Sequence, residues 1–106
     1  MNLLFDLTAK LDCDYENIKA GIAADPRIGS SHMDIVHKAG GSQTGRGAGG
    51  HCFIKDIAAL SVLYAKLNPD DAAGIEVLRA MEKKNRDLLQ DSGKDLDLLA
   101  GVYGSL

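Results

Sequence analysis

Apolar residues recur along this chain at spacings of three and four, the pattern of helices with one buried face. No stretch alternates apolar and polar residues for long enough to make a sheet, so the fold expected is all-α. Leu3, Leu4, Leu7 and Leu11 share one helical stripe that starts at the first residue with no capping signal before it. A second helix is expected from Asp14 to Asp25, with Tyr15, Ile18 and Ile22 inward and Asp14 as N-cap. Pro26 ends it, because a residue before proline is pushed out of helical conformation. A third helix opens near Cys52 and carries Ile57, Leu60, Tyr64 and Leu67 on one side. The step Asn68-Pro69 then resets the chain: Asn caps well, Pro is tolerated in a first turn, and Asp70 and Asp71 suit the positive end of a helix. The fourth helix runs from about Asp70 to Gln90 with Ile75, Leu78, Met81 and Leu88 inward, and Ser92-Gly93 ends it. A short last helix holds Leu96, Leu99 and Val102.

One compositional break interrupts this pattern. The stretch from Ile28 to Gly50, within a loop of about 26–51, is rich in Gly, Ser and His and long for a connection in a compact domain. Such loops carry function or stay disordered, so chemistry is sought there. At 106 residues the chain has room for one small domain, 1–106, and not for a complete two-substrate dehydrogenase. It is 45% hydrophobic and 25% charged, with a net charge of −3, and lacks the concentrated positive field that nucleic acid demands. No apolar run approaches the roughly 18 residues of a membrane span, and there is no cleavable leader pattern at the N-terminus. No nucleic acid and no membrane partner is expected, and the expected location is the cytoplasm. The two cysteines, Cys13 and Cys52, are too few for a disulfide framework and have no CxxC spacing.

The segment RGAGGHCFIKDIAAL, from Arg46 to Leu60, concentrates the candidate chemistry. Paired glycines let backbone approach a ligand closely. Cys52 stands where a helix begins, where unpaired N–H groups and the positive dipole end favour a thiolate. Lys55 adds a cation within one turn, and Asp56, four residues after Cys52, shares its helical face and can hold a water or take a proton. Spacing alone leaves open a plainer alternative, a small packed cysteine at a helix start with Lys55 and Asp56 as solvated charges. Gly45 to Gly50 formally match GxGxxG, yet without the strand–turn–helix context of a phosphate fingerprint. Gly40 and Gly45 have the glycine spacing of a P-loop, but Arg46-Gly47 stands in the Lys-Ser/Thr positions. His32, His37, His51 and Cys52 lack zinc-site spacing, so no metal is expected and solvated loop histidines are the simpler account. Cys13 lies between Asp12 and Asp14, the wrong electrostatics for a thiolate, and the run Glu82-Lys83-Lys84 with Arg86-Asp87 is most simply a solvated face.

GAGGHCFIKD resembles the GFGGSCFPKD signature of the UDP-glucose and GDP-mannose dehydrogenase family, and ADPRIG, from Ala24 to Gly29, is similar to that family's DPRIG segment. The flanks agree as well. CDYENIKAGIAADPRIG resembles the family's helix-to-loop stretch, IEVLRAMEKKNRDL resembles the helix after the signature, and Asn85 stands where the family often has Asn. The resemblance covers nearly the whole chain. It implies the central, dimer-forming α-helical domain of an NAD-dependent nucleotide-sugar 6-dehydrogenase, of the 6-phosphogluconate dehydrogenase C-terminal-like type, with the flanking NAD-binding and nucleotide-binding domains absent.

By the same resemblance, Cys52 is the nucleophile that attacks the aldehyde formed from the sugar C6 alcohol. A thioester results, and water hydrolyses it to the carboxylate. Asp56 is implied as the water-activating carboxylate and Lys55 as the signature lysine near the NAD cofactor. Gly49 and Gly50 form part of the cradle for the nucleotide-sugar substrate, and Arg27 is a residue that reaches the neighbouring subunit's substrate across a homodimer. Ala48, His51 and Ile54 depart from the family's aromatic, small residue and Pro, which bears on sugar packing. The family's catalytic Lys and Asn on the long central helix precede the region where this chain starts, so these 106 residues alone are not expected to turn over. Two other classes compete: a stand-alone helical interaction module that self-associates, and a small zinc domain built on the loop histidines.

Overall fold

The computed structural model describes residues 1–38 and 43–104. Among them are five helices, α1 (Asn2–Lys10), α2 (Tyr15–Ala23), α3 (Phe53–Leu67), α4 (Ala72–Ser92) and α5 (Leu96–Tyr103). The fold is all-α, as the periodicity requires. It differs from that expectation only in a minimal antiparallel pair, β1 (His37–Lys38) with β2 (Thr44–Gly45), two residues on each side. The chain divides into two compact units, Met1–Ile35 and Val36–Leu106.

The first unit is a helical hairpin. Asp14 caps α2, its carboxylate accepting from the Glu16 N–H at 2.9 Å, as its position predicts. The rings of Phe5 and Tyr15 meet edge to face at 5.5 Å, and Thr8 is buried beside them. Leu3, Leu7 and Leu11 of the apolar stripe are exposed. The Tyr15 hydroxyl donates to the Met33 carbonyl, tying the segment after α2 back onto it. Pro26 sits inside a turn closed by Ile28 N–H on the Asp25 carbonyl at 3.0 Å.

The second unit is built on Ile54, Leu89 and Leu99, one from each of α3, α4 and α5, with Leu98 and Tyr103 against them. α3 stops at Asn68, whose backbone leaves the helical region ahead of Pro69. Asp71, rather than Asn68, caps α4: its carboxylate accepts from the Gly74 N–H at 3.0 Å and from the Tyr64 hydroxyl. Pro69 therefore lies before the helix. Gly93 ends α4 in the left-handed region at φ +65°, with Lys94 N–H on the Leu89 carbonyl at 2.9 Å and Gly93 N–H on that of Gln90 at 3.1 Å. Those two bonds make a Schellman ending, which turns the chain sharply at Lys94. Met81, expected inward, is exposed, and so are Leu60 and Leu67 of the α3 stripe and Leu96 and Val102 of α5.

Candidate active site

The glycine segment starts as β2 and then runs, with bends, along the C-terminal half of α4. Past its pairing with β1, peptide groups from Arg46 to Gly50 are met by side chains rather than by a neighbouring strand. Ser92 Oγ accepts from Arg46 N–H at 2.9 Å and donates to the Arg46 carbonyl at 3.2 Å. Asn85 does the same for Ala48, Oδ1 accepting its N–H at 2.7 Å and Nδ2 donating to its carbonyl at 2.8 Å. Asp95 Oδ2 accepts from Gly50 N–H at 2.9 Å. The carbonyls between them belong to Lys94, whose Nζ donates to Gly47 at 2.8 Å and to Gly45 at 3.4 Å. The N–H groups of Arg46, Ala48 and Gly50 thus face Ser92 and Asn85 of α4 and Asp95 ahead of α5, and the carbonyls of Gly45 and Gly47 face a lysine.

Glycine is required here by close approach. At Gly47, φ is +100° and an added Cβ would stand 2.8 Å from Leu89 Cγ. At Gly49 it would fall on the Asp95 carboxylate. The same bonds decide the GxGxxG match. A phosphate loop keeps its N–H groups free for an anion, whereas here those of Arg46, Ala48 and Gly50 are committed within the protein. At these three positions the segment is docked on the protein rather than open to a phosphate. Gly40, the other glycine of the P-loop spacing, lies outside the described residues.

Beyond Gly50 the chain makes one turn and enters α3. Cys52 is the residue flanking its start, exposed, with its carbonyl accepting from Asp56 N–H at 2.9 Å. Lys55 and Asp56 are exposed in the first turn. Ile54 is fully buried against Leu89 and Leu99 and pins that turn to the core. The structure therefore gathers Gly49, Gly50, Cys52, Lys55 and Asp56 at the start of one helix. Arg27 belongs to the other unit. There its guanidinium forms a two-point pair with Asp25, Nε to Oδ1 at 3.1 Å and Nη2 to Oδ2 at 2.8 Å, which holds the Asp25 carboxyl below its usual range.

Three participants have no sequence signature of their own. Asn85 carries only the resemblance, and Lys94 and Asp95 look like solvated charges after a helix end. In fact Lys94 is fully buried, and burial pushes its ammonium below the ordinary lysine range, partly opposed by the charge of Asp95. The charged run on α4 is also not wholly a solvated face. Glu82 accepts from the Tyr103 hydroxyl at 2.8 Å and Arg86 lies 4.5 Å over the Tyr103 ring, while Lys83 and Asp87 pair at the surface. Burial, with the Glu82 bond, pushes the Tyr103 phenol up to about 12. Cys13 is exposed. Among the described residues no three His, Cys, Asp or Glu side chains gather into a metal-holding group, and no helix is long and apolar enough to cross a membrane.

Comparison with known proteins bears on this arrangement. The chain is 32% identical to a UDP-glucose 6-dehydrogenase of Rickettsia bellii (strain RML369-C), a match covering 97% of this chain and 24% of that protein. It is 31% identical to a UDP-glucose 6-dehydrogenase of Rickettsia felis (strain ATCC VR-1525 / URRWXCal2), covering 81% of this chain and 16% of that one. The chain thus spans a quarter or less of the curated relatives it matches. No solved structure matches it. Residues 1–87 match the model of the UDP-glucose/GDP-mannose dehydrogenase family, central domain, and it is to this family that the chain belongs.

Proposed function

We propose that these 106 residues act as the central domain of an NAD-dependent nucleotide-sugar 6-dehydrogenase, working as part of a longer enzyme. Cys52 is the covalent nucleophile. The observation that carries the reading is its placement: an exposed thiol at the opening of a 15-residue helix, reached by a glycine strand whose polar groups are held from behind. In the proposed reaction the Cys52 thiolate adds to the C6 aldehyde of the sugar, forming a C–S bond and an oxyanion that takes up a proton. That thiohemiacetal gives up its C6 hydride to the oxidised nicotinamide acceptor and its hydroxyl proton to solvent, which leaves a thioester. Asp56, four residues on, takes a proton from the water that attacks it; the C–S bond breaks, and carboxylate and thiolate are released.

In the GxGxxG-like segment the N–H groups of Arg46, Ala48 and Gly50 are engaged within the protein, which favours another part of the longer enzyme as the seat of the dinucleotide. The hydride acceptor is therefore assigned to another part of the longer enzyme, with Lys55 at the edge facing it. Gly49 and Gly50 lie at the sugar's approach and contribute shape, the Gly50 N–H being held by Asp95. Arg27, its fork oriented by Asp25, is assigned to the substrate of a second subunit. Exposed Leu3 and Leu7 on α1, and Leu60, Leu63 and Leu67 on α3, support burial of these faces in a homodimer or against other domains.

The test is competitive alkylation of the chain with iodoacetamide, followed by peptide mass spectrometry. Cys52 is expected to label several-fold faster than Cys13 near about pH 7, where ordinary thiols are mostly protonated. Equal rates at the two cysteines across the pH range would overturn the assignment.

A further inference from the structure

We propose that Lys94 and Asp95 are positioning residues for Cys52: by holding the carbonyls of Gly45 and Gly47 and the N–H of Gly50, they fix the strand that delivers the thiol to the start of α3. The inference rests on the reading of Cys52 as nucleophile. It also adds residues that lie beyond the 1–87 matched by the family model.

The geometry at this corner is costly in every part except its hold on the glycine strand. Lys94 is fully buried, and the bonds of its ammonium run to two backbone carbonyls rather than to a carboxylate. An isolated buried ammonium is expensive, so it persists where its donors have no substitute. Asp95 is a non-glycine residue in the left-handed region at φ +53°, an uncommon conformation for a side-chain-bearing residue. It flanks the start of α5, where an Asp ordinarily caps, yet its side chain makes no capping bond there and reaches Gly50 instead. Buried charge, left-handed backbone and forgone cap therefore converge on one partner.

The consequence reaches Cys52 because only His51 separates it from the residue Asp95 holds. On the other side, Ile54 is locked in the core. The short span between two fixed points leaves the thiol little freedom. Released at Gly45, Gly47 and Gly50, the strand would regain the wide conformational range of glycine, and Cys52 would lose its set position. The left-handed Gly93 supplies the turn that places the Lys94 stem under the strand.

The experiment uses the 106-residue chain, with amide hydrogen exchange followed by NMR and iodoacetamide labelling of Cys52 against Cys13 as internal reference. In Lys94→Ala, exchange at Arg46, Ala48 and Gly50 is expected to rise at least about tenfold while mid-α4 amides keep their protection. The ratio of Cys52 to Cys13 labelling is expected to change several-fold. Added n-butylammonium, which can place an N–H donor in the vacated slot, should restore both readouts; tetramethylammonium, a cation without N–H, should not. A merely space-filling role would show no such discrimination. Should Lys94→Ala fail to fold, Lys94→Met keeps the stem and is expected to show the same two changes. The proposal is overturned if loop exchange and the Cys52 ratio stay within twofold of the parent chain in a folded variant, or if both cations rescue alike. The nucleophile assignment is judged separately, on Cys52 against Cys13 in the unsubstituted chain, so either idea can fail alone.

Discussion

Replacing Asn85 by Ala removes one side chain that does the work of a neighbouring strand. Its amide meets both polar groups of Ala48, at 2.7 and 2.8 Å, so the substitution deletes two hydrogen bonds. At about 0.5–1.5 kcal/mol each, the gross loss is about 1–3 kcal/mol. Ala48 is half-buried, which lets water replace part of the pairing, and Ala is the better helix former by about 0.5 kcal/mol. The net expectation is a local loss of about 1–2 kcal/mol, confined to the glycine strand. Native-state amide exchange measures this directly: a loss of that size makes Ala48 exchange roughly 5- to 30-fold faster. Amides in the middle of α4 should hold their rates. Asn85→Asp, which keeps the acceptor for the Ala48 N–H but faces its carbonyl with a carboxylate oxygen, should exchange at least as fast. The reasoning is refuted if Ala48 exchanges within twofold of the parent while α4 stays helical by circular dichroism. It is equally refuted if all α4 amides accelerate together, since that would make Asn85 a helix residue and nothing more.

Two further expectations concern the helix ends. The Asp71 carboxyl is held below its ordinary range by the Tyr64 hydroxyl and the Gly74 N–H, so its cap is fully formed above an unperturbed Asp pKa near about 4 and is lost as pH falls through the depressed value. Exchange at Gly74, corrected for intrinsic rate, should therefore accelerate on acidification in the parent chain and be fast at every pH in Asp71→Ala; a pH-independent Gly74 would count against the cap. Tyr103 has its phenol raised to about 12 against 10.0 unfolded, so its contribution is whole below pH 10 and disappears as pH rises through 12. The shift corresponds to roughly 2.7 kcal/mol, which partial solvent access reduces to about 1–2 kcal/mol. In urea titrations Tyr103→Phe should flatten the alkaline fall in stability by about that amount, and an unchanged fall would refute it.

The elements legible in the sequence are those fixed by backbone-local chemistry. Asp14 caps α2, Gly93 closes α4, and the breaks at Pro26 and Asn68-Pro69 fall where proline forbids helix, because each depends on residues within one turn. Burial is less legible. The 3.6-residue period identifies an apolar face but not what covers it, so Leu7, Leu60, Leu67 and Met81 sit on correct stripes and are exposed. Tyr15 of α2 is buried as its helical period places it, and its ring meets that of Phe5 on α1, which lies off the leucine stripe. At the site, the glycine run and the cysteine announce themselves by composition. Their anchors do not. A lysine and an aspartate after a helix-ending glycine read as surface charges, and only tertiary packing puts Lys94 inside.

The glycine-rich segment takes on a definite role once its bonds are traced. A phosphate loop and a docked strand need glycine for opposite reasons: the first so that backbone N–H groups reach outward to an anion, the second so that the backbone lies flat on a protein surface. At Gly47 and Gly49 the missing Cβ faces Leu89 and Asp95, and the neighbouring amides bond inward. The glycines therefore serve the protein's own corner. The chemistry available at this end rests with the residues next in the chain: the Cys52 thiol at the opening of α3 and the Asp56 carboxylate one turn on. A thiol nucleophile with a carboxylate one turn away is the arrangement that covalent attack on an electrophilic centre requires, and it is on this pair that the proposed function rests. Asn85, Ser92, Lys94 and Asp95 hold the backbone that leads into this pair.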